Sequence, residues 1–300
     1  MTESPDLAVL LESWELHLRA ERKSAQTVKI YRAGVHAFLR WAESSGARAV
    51  LDRPTVNAFV TDLLDAGAEP ATARSRQLAV RRFSAWLAEE GEIGADALVT
   101  LKPPKLDTKV VDVLTDDQLR ALMRACSGPE FRDRRDDALV RLMIETGARA
   151  GEVISIEIAD LNLSAGRCTV QRGKGGKGRT VPFGPHAARA LDRYVRARRA
   201  HRLADTSPAL WLGDRGKGFS YDGLYSALRY RSERAGIDGF HPHLLRHAAA
   251  SRWLAAGGSE GGLMAVAGWS RRDMLDRYTR ATAADRAADE ARGLNLGDLG

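Results

Sequence analysis

Six residues in the second half of the chain are of types that can act together on a phosphodiester. In chain order they are Arg149, Lys174, His243, Arg246, Trp269 and Tyr278. A guanidinium can donate two parallel hydrogen bonds to phosphate oxygens, and a phenol can attack as a nucleophile. Because a phenol has a pKa of about 10, it needs cations that stabilise the phenolate and the transition state. The set therefore predicts a tyrosine nucleophile among cations that bind a phosphate.

The flanking sequence indicates how two of these cations would be presented. Arg149 lies in Thr146-Gly-Ala-Arg-Ala-Gly-Glu152, a glycine-punctuated junction between two predicted helices, where a helix N-terminus also favours an anion. His243 and Arg246 are three positions apart in a helical pattern, so they share a face and point at one oxyanion. Taken alone, Arg149 would more simply be an arginine paired with a nearby acid, and Tyr278 a core aromatic.

A glycine-rich segment, Gly173–Gly178, carries Lys174 and Lys177 at the turn of a predicted β-hairpin. It is not a phosphate-binding P-loop, because that motif requires Gly-Lys-Ser/Thr after four spacer residues, whereas Gly178 is followed by Arg179. A flexible, solvated basic turn is the alternative to a functional lysine here.

Three histidines, His241, His243 and His247, raise the question of a metal site. His243 and His247 share a helical face, but the sequence has no His-Glu-x-x-His motif and no paired acid nearby. The two cysteines, Cys126 and Cys168, have no metal-binding spacing and suggest no disulfide framework. We therefore expect no metal and no other cofactor.

The charge of the chain favours an anionic partner. The 300 residues carry a net charge of +7, and all of this excess lies after residue 105, since residues 1–105 are net neutral. No apolar run approaches the about 18 residues of a membrane span, and the N-terminus has no signal-peptide pattern. With cysteine usage that suits a reducing compartment, we expect a cytoplasmic protein without a membrane partner.

Hydrophobic spacing predicts a mainly α protein with two domains. Residues 1–100 form a small all-helical domain, and residues 111–300 form an α+β domain with a small antiparallel sheet. Residues 101–110 between them form an extended linker, because Pro103 and Pro104 break regular structure. The helices predicted in the first domain cover residues 6–20, 25–45, 54–66 and 70–90. In the second domain helices are predicted at 116–127, 132–146, 185–200, 220–235, 242–257 and 270–278, and a hairpin at 167–183. Between the last two helices, Gly261 and Gly262 weaken helical structure, so we expect Trp269 and Tyr278 on a mobile segment.

These motifs resemble the catalytic set of the tyrosine recombinases, the phage integrase and Xer family. The string from Thr146 to Glu152 resembles the family's Thr-Gly-x-Arg-x-x-Glu, and His243 to Arg246 its His-x-x-Arg. In the first domain, Ser24-x-x-Thr27-x-x-x-Tyr31 and the run at 81–86 resemble the core-binding, SAM-like domain. The resemblance covers nearly the whole chain and implies no extra arm-binding domain.

The resemblance implies a site-specific DNA recombinase that acts in integration, excision or resolution. Tyr278 would form a 3′-phosphotyrosine, Lys174 would protonate the leaving 5′ oxygen, and Glu152 would buttress the turn. Trp269, where many members have histidine, would orient the phosphate, because an indole cannot shuttle a proton. The implied partners are double-stranded DNA with a short inverted-repeat core site, a homo-tetramer on two DNA sites, and an accessory directionality protein. The implied location is the cytoplasm, in association with the nucleoid.

Candidate DNA-contacting residues lie in stretches rich in arginine and lysine. In the first domain they are Arg74, Arg76, Arg81 and Arg82, in a segment without acids, and in the hairpin turn Lys177. A second basic patch runs from Arg19 to Arg32 with Glu21 as its only acid. For any one of these residues a solvated helix face is the default. A type IB-like topoisomerase and a non-catalytic DNA-binding protein on the same fold remain alternatives.

Overall fold

The computed structural model describes residues 6–106, 112–170 and 178–279. The chain divides into two compact units, Met1–Lys109 and Val110–Gly300. Leu101, at the start of the predicted linker, is buried with the core residues of the first unit, and the carbonyl of Lys102 accepts a hydrogen bond from Gln77. Residues 107–110 lie outside the described ranges, so the predicted linker 101–110 stays a prediction.

The first unit contains the four helices that hydrophobic spacing predicts. They are α1 (Leu7–Ala20), α2 (Ala25–Ser45), α3 (Arg53–Asp65) and α4 (Pro70–Glu89). Asp6, Ser24 and Asp52 cap the first three helices through their side-chain oxygens. Helices α2 and α4 pack closely at Gly34, where an added Cβ would lie 2.5 Å from the Cβ of Ala79. The glycine is therefore required by this helix contact.

The second unit combines helices with a small sheet. Its helices are α5 (Asp116–Ala125), α6 (Phe131–Thr146), α7 (Ala150–Ile154), α8 (Pro185–Arg198), α9 (Tyr221–Arg234), α10 (His243–Ala255), α11 (Glu260–Ala267) and α12 (Asp273–Thr279). Two 3-10 turns, Ile158–Asp160 and Asp214–Gly216, complete it. The α5 helix begins with the capping box of Thr115 and Gln118. The observed fold class is the predicted one, mainly helical with a small antiparallel sheet.

The sheet contains three antiparallel strands in the order β1 (Leu161–Asn162), β2 (Arg167–Val170) and β3 (Arg179–Pro182). Strands β2 and β3 form the predicted hairpin, with Val170 paired to Arg179. The segment that joins them, residues 171–177, lies outside the described ranges. The short strand β1 was not predicted, because two residues give no periodicity to detect.

The glycine-containing segment between α10 and α12 forms a helix, α11, which begins at Glu260. The mobility expected of this segment stays a prediction. Ser259 caps α11 by accepting a hydrogen bond from the N–H of Gly262. Leu263 and Ala267 are buried and offset the cost of the two glycines, about 1 kcal/mol each. Among the described residues, no helix is long and apolar enough to cross a membrane.

Candidate active site

Arg149 stands at the N-terminus of α7 and is tied to Glu152. The backbone N–H of Arg149 donates to Oε2 of Glu152 at 2.8 Å, and its guanidinium Nη1 donates to Oε1 at 2.8 Å. The Arg149 side chain is 27% exposed. The pairing with a nearby acid, which the sequence offered as an alternative to a functional role, is therefore present. It fixes a guanidinium that still reaches solvent.

Glu152 also binds a second arginine. The Nη2 atom of Arg179 donates to its Oε2 at 2.8 Å, and the carboxylate is almost completely buried. Burial alone would raise the pKa of Glu152, but the hydrogen bonds and charges of Arg179 and Arg149 outweigh it and lower the pKa to about 2. The carboxylate is thus charged at all ordinary pH values and holds both guanidinium groups.

Arg179 connects three parts of the site. It begins β3, directly after the glycine-rich segment, and its Nε donates to the carbonyl of Val266 at 2.8 Å. Its guanidinium packs on Gly268, where an added Cβ would lie 2.8 Å from Cζ. Arg179 was not among the site residues predicted from the sequence. The sequence held a signal for this role, because Arg179 lies two positions before the buried Val181 in β3 and so points to the same core-facing side. An arginine on that side needs an acidic partner.

Arg246 is 1% exposed and lies between the Arg149 junction and α11. Its Nη1 donates to the carbonyl of Gly147 at 2.5 Å, and its Nη2 donates to the carbonyl of Ala267 at 2.8 Å. Burial lowers the pKa of Arg246 to about 10, and the neighbouring Arg149 adds to this effect. The group therefore stays charged at neutral pH. These two bonds use two of the five N–H donors of the guanidinium.

Trp269 and Tyr278 lie against each other on this cluster. Their rings stack with centroids 5.3 Å apart, and Cζ of Arg246 is 5.2 Å from the Trp269 ring. Both aromatic residues are buried. The indole N–H of Trp269 is buried without a hydrogen-bond partner in the described part of the chain. A buried donor without an acceptor costs about 1–3 kcal/mol, which an acceptor entering the site would relieve.

The hydroxyl of Tyr278 contacts α10 through a residue that the sequence suggested only as a possible metal ligand. It forms a short hydrogen bond with Nδ1 of His247. The His247 ring meets His243 edge-on, with centroids 4.6 Å apart. His243 is exposed, whereas Arg246 between them is buried. The spacing of His247, four residues after His243 on one helical face, was the available signal.

The structure brings together five of the six predicted residues. Arg149, His243, Arg246, Trp269 and Tyr278 are linked by the contacts described above, and Lys174 lies outside the described residues. Within the described ranges, no group of three or more His, Cys, Asp or Glu side chains is placed to hold a metal ion.

The predicted DNA-contacting arginines do not form one surface. At about 100° per residue, Arg74, Arg81 and Arg82 fall on one side of α4 and Arg76 on the other. Arg74 and Arg82 are exposed, whereas Arg81 donates to the carbonyl of Val99 at 3.3 Å. Lys177 lies outside the described residues.

The second basic patch contains more acid than the sequence spacing suggested. Glu15 on α1 forms ion pairs with both Arg19 and Arg32. Sequence distance concealed this contact, because the packing of α1 on α2 brings Glu15 to the patch.

Comparison with known proteins identifies the family. The phage integrase family matches residues 112–285, and the phage integrase N-terminal SAM-like domain matches residues 11–91. The tyrosine recombinase XerD of Corynebacterium glutamicum is 33% identical over 287 residues, which cover 92% of this chain and 94% of that relative. The tyrosine recombinase XerC of Xanthomonas campestris is 32% identical over 273 residues, which cover 90% of this chain and 83% of the relative.

Solved structures share the fold at lower identity. The XerH site-specific recombinase bound to palindromic difH substrate in a post-cleavage complex has a TM-score of 0.74 at 18% identity, covering 97% of this chain and 85% of that one. A lambda integrase tetramer bound to a Holliday junction has a TM-score of 0.68 at 17% identity, covering 88% and 77%. The family matches and the curated relatives together show that this chain belongs to the phage integrase family and is a tyrosine-type site-specific recombinase.

Proposed function

We propose that the chain cuts and rejoins DNA through a 3′-phosphotyrosine formed on Tyr278. The main observation behind this proposal is that a buried phenol and a buried guanidinium both lie against the same tryptophan ring. Tyr278 stacks on Trp269, and Trp269 also faces Arg246 across 5.2 Å. In such a desolvated site the charge of Arg246 acts more strongly on a phosphate than it would in water.

The reaction conserves the energy of the broken bond. The Tyr278 hydroxyl attacks the phosphorus, the bond to the 5′ oxygen breaks, and a free 5′ hydroxyl leaves. The 5′ hydroxyl of a partner strand then attacks the phosphotyrosine, which restores the DNA phosphodiester and the free tyrosine. Because the adduct keeps the bond energy, the cycle needs neither ATP nor a metal.

Each residue of the site has a separate proposed role toward the phosphate. Arg149 and Arg246 bind its non-bridging oxygens, and both stand where a guanidinium retains N–H donors beyond those used in the protein. His243 donates a further hydrogen bond from the same helix as Arg246. Trp269 donates its buried indole N–H, which lacks an acceptor among the described residues. Lys174 protonates the leaving 5′ oxygen.

We assign the DNA-contacting roles by domain. Residues 1–100 bind the core site and residues 111–300 carry the chemistry, joined by the linker 101–110. Arg74, Arg76, Arg81, Arg82 and Lys177 are the proposed DNA contacts. Arg74 and Arg82 are the best supported of these, because they are exposed on one side of α4.

A tetramer on two DNA sites is the proposed working assembly. Its support is the lambda integrase tetramer bound to a Holliday junction, which shares the fold. A short inverted-repeat core site fits the palindromic substrate of the similar XerH structure. The protein would work in the cytoplasm, in association with the nucleoid, and an accessory protein would set the direction of recombination.

Covalent capture of DNA on the protein tests this function and identifies the DNA target site in the same experiment. The protein is mixed with fragmented genomic DNA that carries random nicks, the mixture is denatured, and the attached DNA is sequenced. Tyr278→Phe is run beside the wild type, with Tyr225→Phe, an exposed tyrosine of α9, as the matched control. We expect adducts from the wild type and Tyr225→Phe only, clustered at an inverted repeat. Specific binding with no adduct would support a non-catalytic protein instead.

A second assay separates recombination from topoisomerase activity. Two labelled duplexes that carry the captured site are incubated with the protein, beside a supercoiled plasmid without the site. A recombinase exchanges strands between the duplexes. Relaxation of the plasmid without exchange between the duplexes would favour a type IB-like topoisomerase.

A further inference from the structure

The last turn of α11 holds two guanidinium groups of the site through its backbone carbonyls. Arg246 donates to the carbonyl of Ala267 at 2.8 Å, and Arg179 donates to the carbonyl of Val266 at 2.8 Å. Trp269 follows two residues after the end of the helix. The position of α11 therefore determines where Arg246 and Trp269 can meet a phosphate.

The local sequence gives α11 little stability of its own. The helix has eight residues, whereas isolated helices shorter than about 12 residues are marginal in water. Two of the eight are Gly261 and Gly262, and glycine weakens a helix further. Contacts with other elements must therefore hold α11 in place, and Trp253 on α10 makes several of them.

Trp253 lies at the turn that joins α10 to α11. Its indole N–H donates to the carbonyl of Ser259 at 3.0 Å, and its own carbonyl accepts a hydrogen bond from the backbone N–H of Gly258 at 2.9 Å. Ser259 in turn caps α11. The Trp253 side chain also packs against the buried cluster that contains Leu263 and Tyr278. One residue of α10 thus fixes the start of α11 by hydrogen bonds and by packing.

Gly258 and Gly262 form a slot that receives the indole of Trp253. An added Cβ at Gly258 would lie 2.5 Å from Cδ1 of the indole, and one at Gly262 would lie 3.0 Å from its Cζ2. Gly258 does not have a positive φ, so the indole, and not the backbone, excludes a side chain there. Gly261 has nothing within 4 Å of an added Cβ and is not part of the slot. The two glycines of the slot are therefore required by the ring.

We propose that Trp253 is a positioning residue of the DNA cleavage reaction. Its indole, seated in the slot, fixes α11 against α10 and so places the carbonyl groups that hold Arg246 and Arg179. Trp253 acts on the reaction through these two arginines and through Trp269, which follows α11 along the chain. This inference rests on the proposed binding of the phosphate by Arg246 and Trp269. Because a misplacement of about 1 Å can cost about 10²-fold in rate, a small shift of α11 should slow cleavage.

The test measures single-turnover adduct formation on a nicked duplex of the captured site, with the protein in saturating excess. Gly258→Ala places a methyl group against the indole, and Gly261→Ala is the matched control because its methyl group meets nothing within 4 Å. We expect Gly258→Ala to slow adduct formation about 10–100-fold with DNA affinity unchanged, and Gly261→Ala to keep the wild-type rate. Gly262→Ala, the milder second variant, should slow the reaction less and replaces Gly258→Ala if that protein does not fold.

Removing the ring tests whether Gly258 matters only because of Trp253. Trp253→Ala empties the slot, so it should by itself slow adduct formation about 10–100-fold. In this background a methyl group on residue 258 no longer meets an indole, and adding Gly258→Ala should cause no further loss of rate. Two changes that act independently would instead multiply their effects on the rate. Urea unfolding of each variant gives the folded fraction under the assay conditions, by which every rate is corrected.

Three results would overturn the inference alone. If Gly258→Ala forms the adduct as fast as Gly261→Ala, then the seat of the indole does not matter for the reaction. If Gly258→Ala slows the Trp253→Ala protein as much as it slows the wild type, then the glycine does not act through the ring. If the corrected rates equal the wild-type rate, or fall only with DNA affinity, then Trp253 supports the fold and does not position the site. If the wild type forms no adduct at all, the proposed function fails first and this inference fails with it.

Discussion

Arg179 donates a hydrogen bond to the carboxylate of Glu152 at 2.8 Å, and this contact extends the site beyond the residues proposed to bind the phosphate. The same carboxylate holds the backbone and the side chain of Arg149. Glu152 therefore acts on the proposed reaction through Arg149 as a positioning residue.

Removing the charge of Glu152 should destabilise the second unit. Its pKa of about 2 against an ordinary 4.5 means that the charged form is favoured in the fold by about 3 kcal/mol. Glu152→Gln leaves two guanidinium groups without that charge, so we expect a loss of about 2–3 kcal/mol in urea unfolding at neutral pH. Glu233→Gln, which removes an exposed pair with Arg229, should cost less than about 1 kcal/mol. Equal costs for both variants would contradict this role.

The same carboxylate should give stability that depends on pH. Because the folded pKa of Glu152 lies below its unfolded value, its contribution is fully present above pH 4.5 and is lost as the pH falls from 4.5 towards 2. The difference in unfolding free energy between wild type and Glu152→Gln should therefore shrink across this window. Chemical denaturation at pH 6 and pH 3 measures it. A difference that stays constant or grows on acidification would show that the carboxylate is not specifically stabilised.

Gly268→Ala should disturb the site through Arg179. Gly268 has φ +65°, and an alanine Cβ there would lie 2.8 Å from Cζ of Arg179. Gly236 is the matched control, because it has φ +68° but nothing within 4 Å of an added Cβ. Both alanine variants should lose about 1 kcal/mol from backbone strain. Only Gly268→Ala should also slow DNA cleavage, by about 10–100-fold, because a small displacement of positioning groups has large effects.

The two glycine variants are compared by their rates of DNA cleavage, since both carry the same backbone strain. If both glycine variants cleave DNA at the same rate, then the packing of Arg179 against Gly268 does not matter for the reaction.

Trp269→Phe should lower the rate of DNA cleavage while changing the stability of the fold only a little. The phenyl ring can still stack on Tyr278, while the unpartnered indole N–H disappears from a buried position. Removing an unsatisfied buried donor relieves its desolvation penalty, and this gain should offset part of the lost packing. We expect a change in unfolding free energy of less than about 1.5 kcal/mol. The cleavage rate should fall about 10²-fold, the usual effect of losing one transition-state hydrogen-bond donor. A rate equal to the wild type would exclude Trp269 as a phosphate ligand.

The sequence predicted those parts of the fold that depend on local pattern. The helices of the first unit and the β2–β3 hairpin follow from periodicity, caps and glycine positions, so their existence was predictable within a few residues. Helix α11 was missed because its stability comes from burying Leu263 and Ala267, which is a tertiary effect. Strand β1 is too short to carry a pattern.

The candidate site was predictable only at residues that belong to a recognisable sequence motif. Arg149, Arg246 and Tyr278 were identified from order and spacing, because resemblance links them across the sequence. Arg179 and His247 were missed as site residues, because their importance lies in partners that are distant along the chain. Glu152 is 27 residues from Arg179, and Tyr278 is 31 residues from His247. Only the fold brings such pairs into contact.

The central claim is that the hydroxyl of Tyr278 carries the DNA, and mass spectrometry of the adduct tests it most directly. The captured complex is digested with nuclease and with a protease that cleaves before aspartate. The peptide of residues 276–284 contains Tyr278 as its single tyrosine. We predict that this peptide carries one nucleotide joined through its 3′ phosphate to the tyrosine oxygen. A nucleotide attached to any other residue, or through a 5′ phosphate, would contradict the account.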